Sequence, residues 1–304
     1  MGNIFTSVLR KTISPEEPMK PSKRTGGTNV LGMAVLFAFT VYFLLPLYWL
    51  IISSTKTTND LFSGNGLWFS GQFQFFQNLQ GLFSYDGGIF ISWFINTFLY
   101  AIGSAVISTL IAAMAGYALA KFKFYGKNTI FSIVLGSLLV PTTALSLPLY
   151  LLMAKAGLTN TYWAVLLPSF VSPFGVYLAR VYSVSSIPDE MLDAARVDGA
   201  GEFRVFFRIA LAALTPSLIT IFLFQFVAVW NNYFLPLVML SNQNLFPLTV
   251  GLQSWNAITT SVSGQGMLYS YIIMGSLISV LPLIIGFLFL QRYWRAGIVS
   301  GSIK

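Results

Sequence analysis

Residues 30–54 run for a full membrane thickness without a charged side chain, and similar stretches recur at 89–120, 129–154, 162–182, 209–229 and 269–290. Arg180, near the end of the fourth stretch, is the one charge in all six. A helix that crosses a bilayer needs ~20 mostly apolar residues. Lipid offers no water to a bare peptide group, so runs of this kind can only become helices or closed barrels. Length without alternation selects helices. The 209–229 stretch carries twelve Leu, Ile, Val or Phe residues. At about −0.3 to −0.6 kcal/mol each, they favour insertion by roughly 4 to 7 kcal/mol before Pro216 and Gln225 count against it. Charged residues make up 9% of the chain, where a soluble domain has about 25%. The expectation is an all-α polytopic membrane protein with six transmembrane helices. The fifth stretch, 209–229, continues outward to Leu240.

Histidine and cysteine are both absent. That excludes His/Cys metal sites, thiol nucleophiles, disulfides and imidazole bases. Orientation follows the basic residues. With the N-terminus inside, fifteen Lys and Arg fall in inner segments, and only Lys56 and Lys155 fall outside. Both termini are therefore expected in the cytoplasm. The net charge of +8 is topogenic and spread over several loops, which argues against nucleic acid as a partner. The expected organisation is a flexible basic tail at 1–29, a first span at 30–54, an outer loop at 55–88, a core at 89–291 and a C-terminal tail at 292–304. The first span is too long for a signal peptide and reads as a retained anchor. Trp49, Trp93, Trp163 and Trp230 fall near outer span ends, as an aromatic belt would. Ala101, Ala105, Ser108, Ala112 and Gly116 form a small-residue stripe suited to close helix packing within the chain. Pro141, Pro148, Pro168 and Pro173 interrupt the third and fourth spans.

Against this apolar background, residues 182–208 hold 8 of the chain's 26 charges. Pro188 suits a first helical turn, and Asp189 and Glu190 complement the helix dipole there. Met191, Leu192, Ala194 and Ala195 give a small apolar face. Asp198-Gly199 is a stop signal. A second helix should start near Gly201 and run through Phe203, Phe206 and Phe207 into the next span. The product is a cytoplasmic helix-turn-helix at 188–207, read as a docking knob with Asp193, Arg196 and Glu202 on its rim.

The stretch DAARVDGAGEF, continued to residue 216, resembles the EAA motif of importer-type ABC permeases. Ala194, Ala195, Asp198, Gly199, Ala200, Ile209 and Pro216 match that pattern. Asp193 replaces its leading Glu, and Ala212 its first proline, which implies a straighter start to the fifth span. INTFLYAIGSAVISTLIAAMAGYALAKFKFYGK, PLYLLMAKAGLTNTYWAVLLPSFVSPFGVYLAR, WNNYFLPL and LQRYWRAGIVSGSIK resemble sugar permeases of the maltose type. The resemblance runs from about residue 89 to 304. It implies the transmembrane domain of a type I ABC importer with a cytoplasmic coupling helix. The implied coupling residues are Asp193, Ala194, Ala195, Arg196, Asp198, Gly199, Ala200 and Glu202.

The resemblance also implies partners: a second permease in a heterodimer, two ATPase subunits that bind ATP and Mg, and an extracellular sugar-binding protein, all around a core in membrane lipid. No cofactor is implied for this chain. It has no G-x-x-x-x-G-K-[ST] loop, since Gly126-Lys127 is followed by Asn128. An uncharged cargo path needs neutral hydrogen-bonding groups, and Asn96, Thr142, Ser146, Gln225, Asn231, Asn232 and Tyr233 are the candidates. No span carries an ionisable group away from its ends, which argues against ion coupling. The uncharged outer stretch 241–268 is expected to face the binding protein. Other readings are an ABC permease for a polyol or glycerol phosphate, an ion-coupled secondary transporter, and a membrane enzyme.

Overall fold

A computed structural model describes residues 26–261 and 267–300, all helix, turn or loop. The chain divides after Leu47 into two units. Helix α1 (Gly26–Ser54) runs from the first into the second. Within the first unit, Thr40 Oγ1 donates to the Leu36 carbonyl at 2.8 Å, and Phe39 stacks on Phe43 one turn on.

In the second unit, the expected outer loop 55–88 holds α2 (Thr58–Ser63) and α3 (Phe75–Ser84). Lys56, expected on an outer loop, is buried and donates to the Asn65 carbonyl. Then comes α4 (Ile89–Lys121), the axis of the fold. Its 33 residues span about 50 Å at 1.5 Å per residue. There follow α5 (Lys127–Ser137), α6 (Ser146–Lys155), α7 (Tyr162–Ser169), α8 (Pro173–Ser186), α9 (Asp189–Val197), α10 (Glu202–Ala213), α11 (Thr215–Trp230), α12 (Phe234–Met239), α13 (Leu248–Ser261) and α14 (Met267–Ser300). The C-terminal segment expected as a tail from 292 thus continues as helix to Ser300, and residues 301–304 lie outside the described residues, as do 1–25 of the N-terminal tail.

Helices α8 and α11 pack along α4. The small-residue stripe explains how. Ala101, Ala105, Ser108 and Ala112 are buried. A Cβ on Gly116 would lie 2.5 Å from Ala179 Cβ and 2.6 Å from the Arg180 backbone nitrogen. One turn earlier, a Cβ on Gly175 would meet Ala112 Cβ at 3.1 Å. Both contacts step by four residues on both helices, so α4 and α8 run parallel and in register. Leaving the side chain off lets the backbones touch, and dispersion over that surface replaces the hydrophobic drive that lipid cannot supply.

Among the described residues, four helical segments are long and apolar enough to cross a membrane, or five if a bent pair counts as one. The expected third span, 129–154, is not one helix. It is α5 and α6 with a break at 138–145, where the residue before Pro141 is forced out of helical conformation. On either side of Pro141, i→i+3 bonds such as Ala144 N–H to the Pro141 carbonyl at 3.0 Å satisfy much of the backbone through the break. The fourth span breaks between Pro168 and Pro173, and the Ser172 hydroxyl caps α8 by accepting from Gly175 N–H. The fifth is α10 and α11, bent by 80°. The straighter start expected from Ala212 is therefore not found. Pro216, in the first turn of α11, and a π-turn over Phe206–Ala210 make the bend without the motif's other proline.

Candidate functional site

The polar module is α9, a turn and the start of α10. Asp189 and Glu190 occupy the first turn of α9 and Arg196 the last, so both ends complement the helix dipole. The turn is a Schellman motif. Ala200 N–H donates to the Ala195 carbonyl and Gly199 N–H to the Arg196 carbonyl, both at 3.0 Å. Gly199 sits at φ +79°, in the left-handed region. Ala195 and Ala200, joined by the longer of these loops, both pack on the same apolar cluster. That cluster consists of Ala113 and Tyr117 from α4 with Ile187, Leu192, Val205, Phe206, Ala210 and Leu214. It is the seat on which the module rests.

The expected apolar face is narrower than four residues. Leu192 is buried and Ala195 half-buried, but Met191 and Ala194 are exposed. The rim charges bind each other. Arg196 donates to Glu202 at 2.8 Å and to Asp193 at 2.9 Å, which locks α9 to α10 across the turn. These two carboxylates raise the guanidinium further above its already high ordinary value, Glu202 contributing more. Asp198 and Ala194 are exposed beside the turn. Val197 has no part in the expectations above, and Phe203 is placed there only as part of the second helix. Val197 is 88% and Phe203 79% exposed, on either side of Gly199. Val197 lies about 140° round α9 from Leu192, an apolar residue off the apolar face, and that offset was the available signal.

Basic residues tie the module and its surroundings to helix ends. Lys127 Nζ donates to the Ala120 and Phe122 carbonyls at the end of α4, both at 3.1 Å. Arg180 Nε reaches the Leu119 carbonyl at 3.4 Å while its guanidinium lies 3.7 Å from the Phe131 ring centre. Lys121 Nζ donates to the Ile187 carbonyl and, at 2.6 Å, to Asp189 Oδ1. These contacts place cations against the negative ends of helices. The Lys121 hydrogen bond, then its charge, holds the Asp189 carboxyl below its ordinary 3.8. Asp189 is therefore ionised at neutral pH, and the stability it adds is lost only as pH falls through that lowered value.

The cargo-path candidates do not form one cluster. Asn96 is buried on α4, donates to the Asn244 and Phe246 carbonyls at 2.7 and 3.2 Å, and accepts from the Tyr162 hydroxyl at 3.1 Å. It belongs to a clamp. Trp93 donates to the Gln243 carbonyl, Tyr100 to the Leu245 carbonyl, and Thr97 accepts from Leu248 N–H. Gln225 donates to the Ser169 carbonyl at 2.8 Å, satisfying a group freed by the break in the fourth span. Ser146 is buried, with its hydroxyl 3.4 Å from the Thr142 carbonyl, and Thr142 is exposed. Asn231 and Tyr233 are exposed between α11 and α12, and Asn232 accepts from Leu235 N–H. Because α6 packs on α12, the breaks that carry Thr142 and Asn231–Tyr233 lead into neighbouring helices.

The expected outer stretch 241–268 is held down by that clamp and by Asn160, whose side-chain oxygen accepts from Ser241 and Asn242. It contains α13, which packs on α4 and α14, and residues 262–266 lie outside the described residues. Trp93 and Trp230 are buried clamps, the latter donating to the Ser279 carbonyl, while Trp49 and Trp163 remain exposed as belt residues would be. Asn96→Ala should strand two carbonyls and a hydroxyl, each at about 1–3 kcal/mol if it stays dry. The expected results are a lower thermal midpoint in detergent and faster proteolysis within 241–247.

The region 108–295 matches the family described as binding-protein-dependent transport system inner membrane component. The arabinooligosaccharides transport system permease protein AraQ of Halalkalibacterium halodurans is 36% identical over 90% of this chain and 95% of its own. The lactose transport system permease protein LacG of Rhizobium radiobacter is 28% identical over 91% and 96%. A chain in the crystal structure of a bacterial ABC transporter involved in the import of the acidic polysaccharide alginate shares the fold, with a TM-score of 0.77 at 23% identity, over 91% of this chain and 99% of that one. The chain belongs to the family of binding-protein-dependent transport system inner membrane components, as a multi-pass permease subunit and not an enzyme.

Proposed function

We propose that this chain is one of two permease subunits in an ATP-driven importer of a neutral oligosaccharide, with the 188–207 module docked on a partner ATPase. The reading is carried by Val197 and Phe203. They are the most exposed large apolar side chains of a module in which Met191 and Phe207 are exposed to a lesser degree and Leu192, Val205 and Phe206 are buried in its seat. An apolar pair held out by a rigid, charge-locked turn suits insertion into a groove on another protein. The ATPase subunits would bind ATP and Mg, and their closure would move the module and shift the spans between inward- and outward-open states. The basic residues described above lie near the module, so the module faces the cytoplasm under the positive-inside rule, with both termini on that side.

A neutral cargo is supported by spans whose one charge, Arg180, lies near a span end, and by relatives named for arabinooligosaccharides and lactose. Thr142, Asn231, Asn232 and Tyr233 remain the path candidates: Asn96 and Gln225 are bonded to distant carbonyls and Ser146 is buried, whereas the side chains of Asn231 and Asn232 bond within their own turn. The test is reconstitution with the second permease, the ATPase and the binding protein. Val197→Asp should insert normally, yet lose co-purified ATPase and oligosaccharide uptake together. Wild-type ATPase recovery with Val197→Asp would remove the docking role. Uptake of a phosphorylated polyol in preference to neutral oligosaccharides would remove the cargo assignment.

A further inference from the structure

Of the three ion pairs among the described residues, two lie inside the module and one, Lys121–Asp189, ties it to a spanning helix. Lys121 is the last residue of α4. Its side chain is 8% exposed, and that of Asp189 is 76% exposed. The ammonium is therefore fixed in the protein, while the carboxylate is carried by the module. The same ammonium also holds the Ile187 carbonyl, the residue that follows the end of α8. Three elements meet at one charged group: the end of α4, the end of α8 and the first turn of α9.

The rest of the contact between α4 and the module is apolar, through Ala113 and Tyr117. Apolar contact is non-directional and tolerates sliding. A short charge-assisted hydrogen bond has a fixed direction and length. We infer that Lys121 is a positioning residue that transmits displacement of the module to α4, so that movement imposed at α9 reaches the packed core of spans. This rests on the proposal that the module docks on an ATPase.

The experiment uses the complete importer with Lys121→Met, Lys121→Arg, Asp189→Asn and Val197→Asp. Three quantities are read: ATPase co-purified, the ratio of binding-protein-stimulated to basal ATP hydrolysis, and uptake. Lys121→Met should assemble with its ATPase, but the stimulation ratio should fall about tenfold, within the usual range of coupling between sites. Lys121→Arg should stay within about twofold of wild type, since it keeps the charge and the donors. Asp189→Asn, at an exposed position, should lower the ratio without loss of folded protein, and it decides the matter if Lys121→Met fails to fold. A wild-type ratio in Asp189→Asn and in any folded Lys121→Met, or loss of ATPase from Lys121→Met, would overturn the inference. Val197→Asp separates the two claims. If it keeps its ATPase, the docking proposal falls; if it loses the ATPase while Lys121→Met keeps both ATPase and ratio, only the transmission role falls.

Discussion

Gly199→Val is expected to yield inserted protein that no longer retains its ATPase. The cause is the backbone alone. A Cβ at Gly199 would meet nothing within 4 Å, but the residue sits at φ +79°. An L-residue pays about 1–2 kcal/mol there, and a β-branched one more. Opening the turn to relieve that strain breaks the Ala200–Ala195 and Gly199–Arg196 bonds and misaligns the Arg196–Glu202 bridge that spans it. Val197 and Phe203 would then no longer point out together. Since ~1.4 kcal/mol is a tenfold change in affinity, ATPase recovery should drop by about that factor or more. Asn tolerates the left-handed region, so recovery should fall in the order Gly, Asn, Ala, Val. Equal recovery across the series would show that the turn's shape does not matter.

Gly116→Val should act on folding instead. The added Cβ would collide with the backbone of Ala179 and Arg180, which no rotamer change can move. The helices must separate, and overpacking of this kind costs about 1–3 kcal/mol or more. Separation would also pull Arg180 from the Leu119 carbonyl and the Phe131 ring. The expected outcome is a low yield of monodisperse protein and a clearly reduced thermal midpoint. Gly136→Ala is the control. Its Cβ would meet nothing within 4 Å on α5, so it should be neutral or stabilise by ~0.4–1 kcal/mol. A Gly116→Val protein as stable as that control would contradict the close approach of α4 and α8.

The same physical rules read some elements well and others poorly. The module was legible because capping, dipole and left-handed glycine effects are local: Asp189, Gly199 and Gly201 sit where those rules put them, and Pro188, expected in the first turn, stands one residue before it at the N-cap. The small-residue stripe was legible too, since spacing alone shows which residues can let a helix approach. Breaks within spans were harder. Hydropathy reports whether a segment enters lipid, and it cannot report that Pro141 splits 129–154 into two short helices while Pro46 and Pro282 leave theirs continuous. Ala212 misled because a bend was tied to one missing proline, whereas Pro216 and the π-turn suffice. Trp93, Trp230 and Asn96 misled for a different reason. Their partners are carbonyls some 50 to 150 positions away, and only the assembled fold brings those together.

Helix α4 holds a loop clamp at one end, through Trp93, Asn96, Thr97 and Tyr100, and the Lys121 tie at the other. A single continuous rod thus fixes both the 242–247 loop and the module. Linkage then imposes an equality. If ATPase docking at the module changes the free energy of anything bound at that loop, binding at the loop must change ATPase affinity by the same factor. An isotherm measured at one end of α4 would therefore report on the other, with its sign and size fixed before the second is measured.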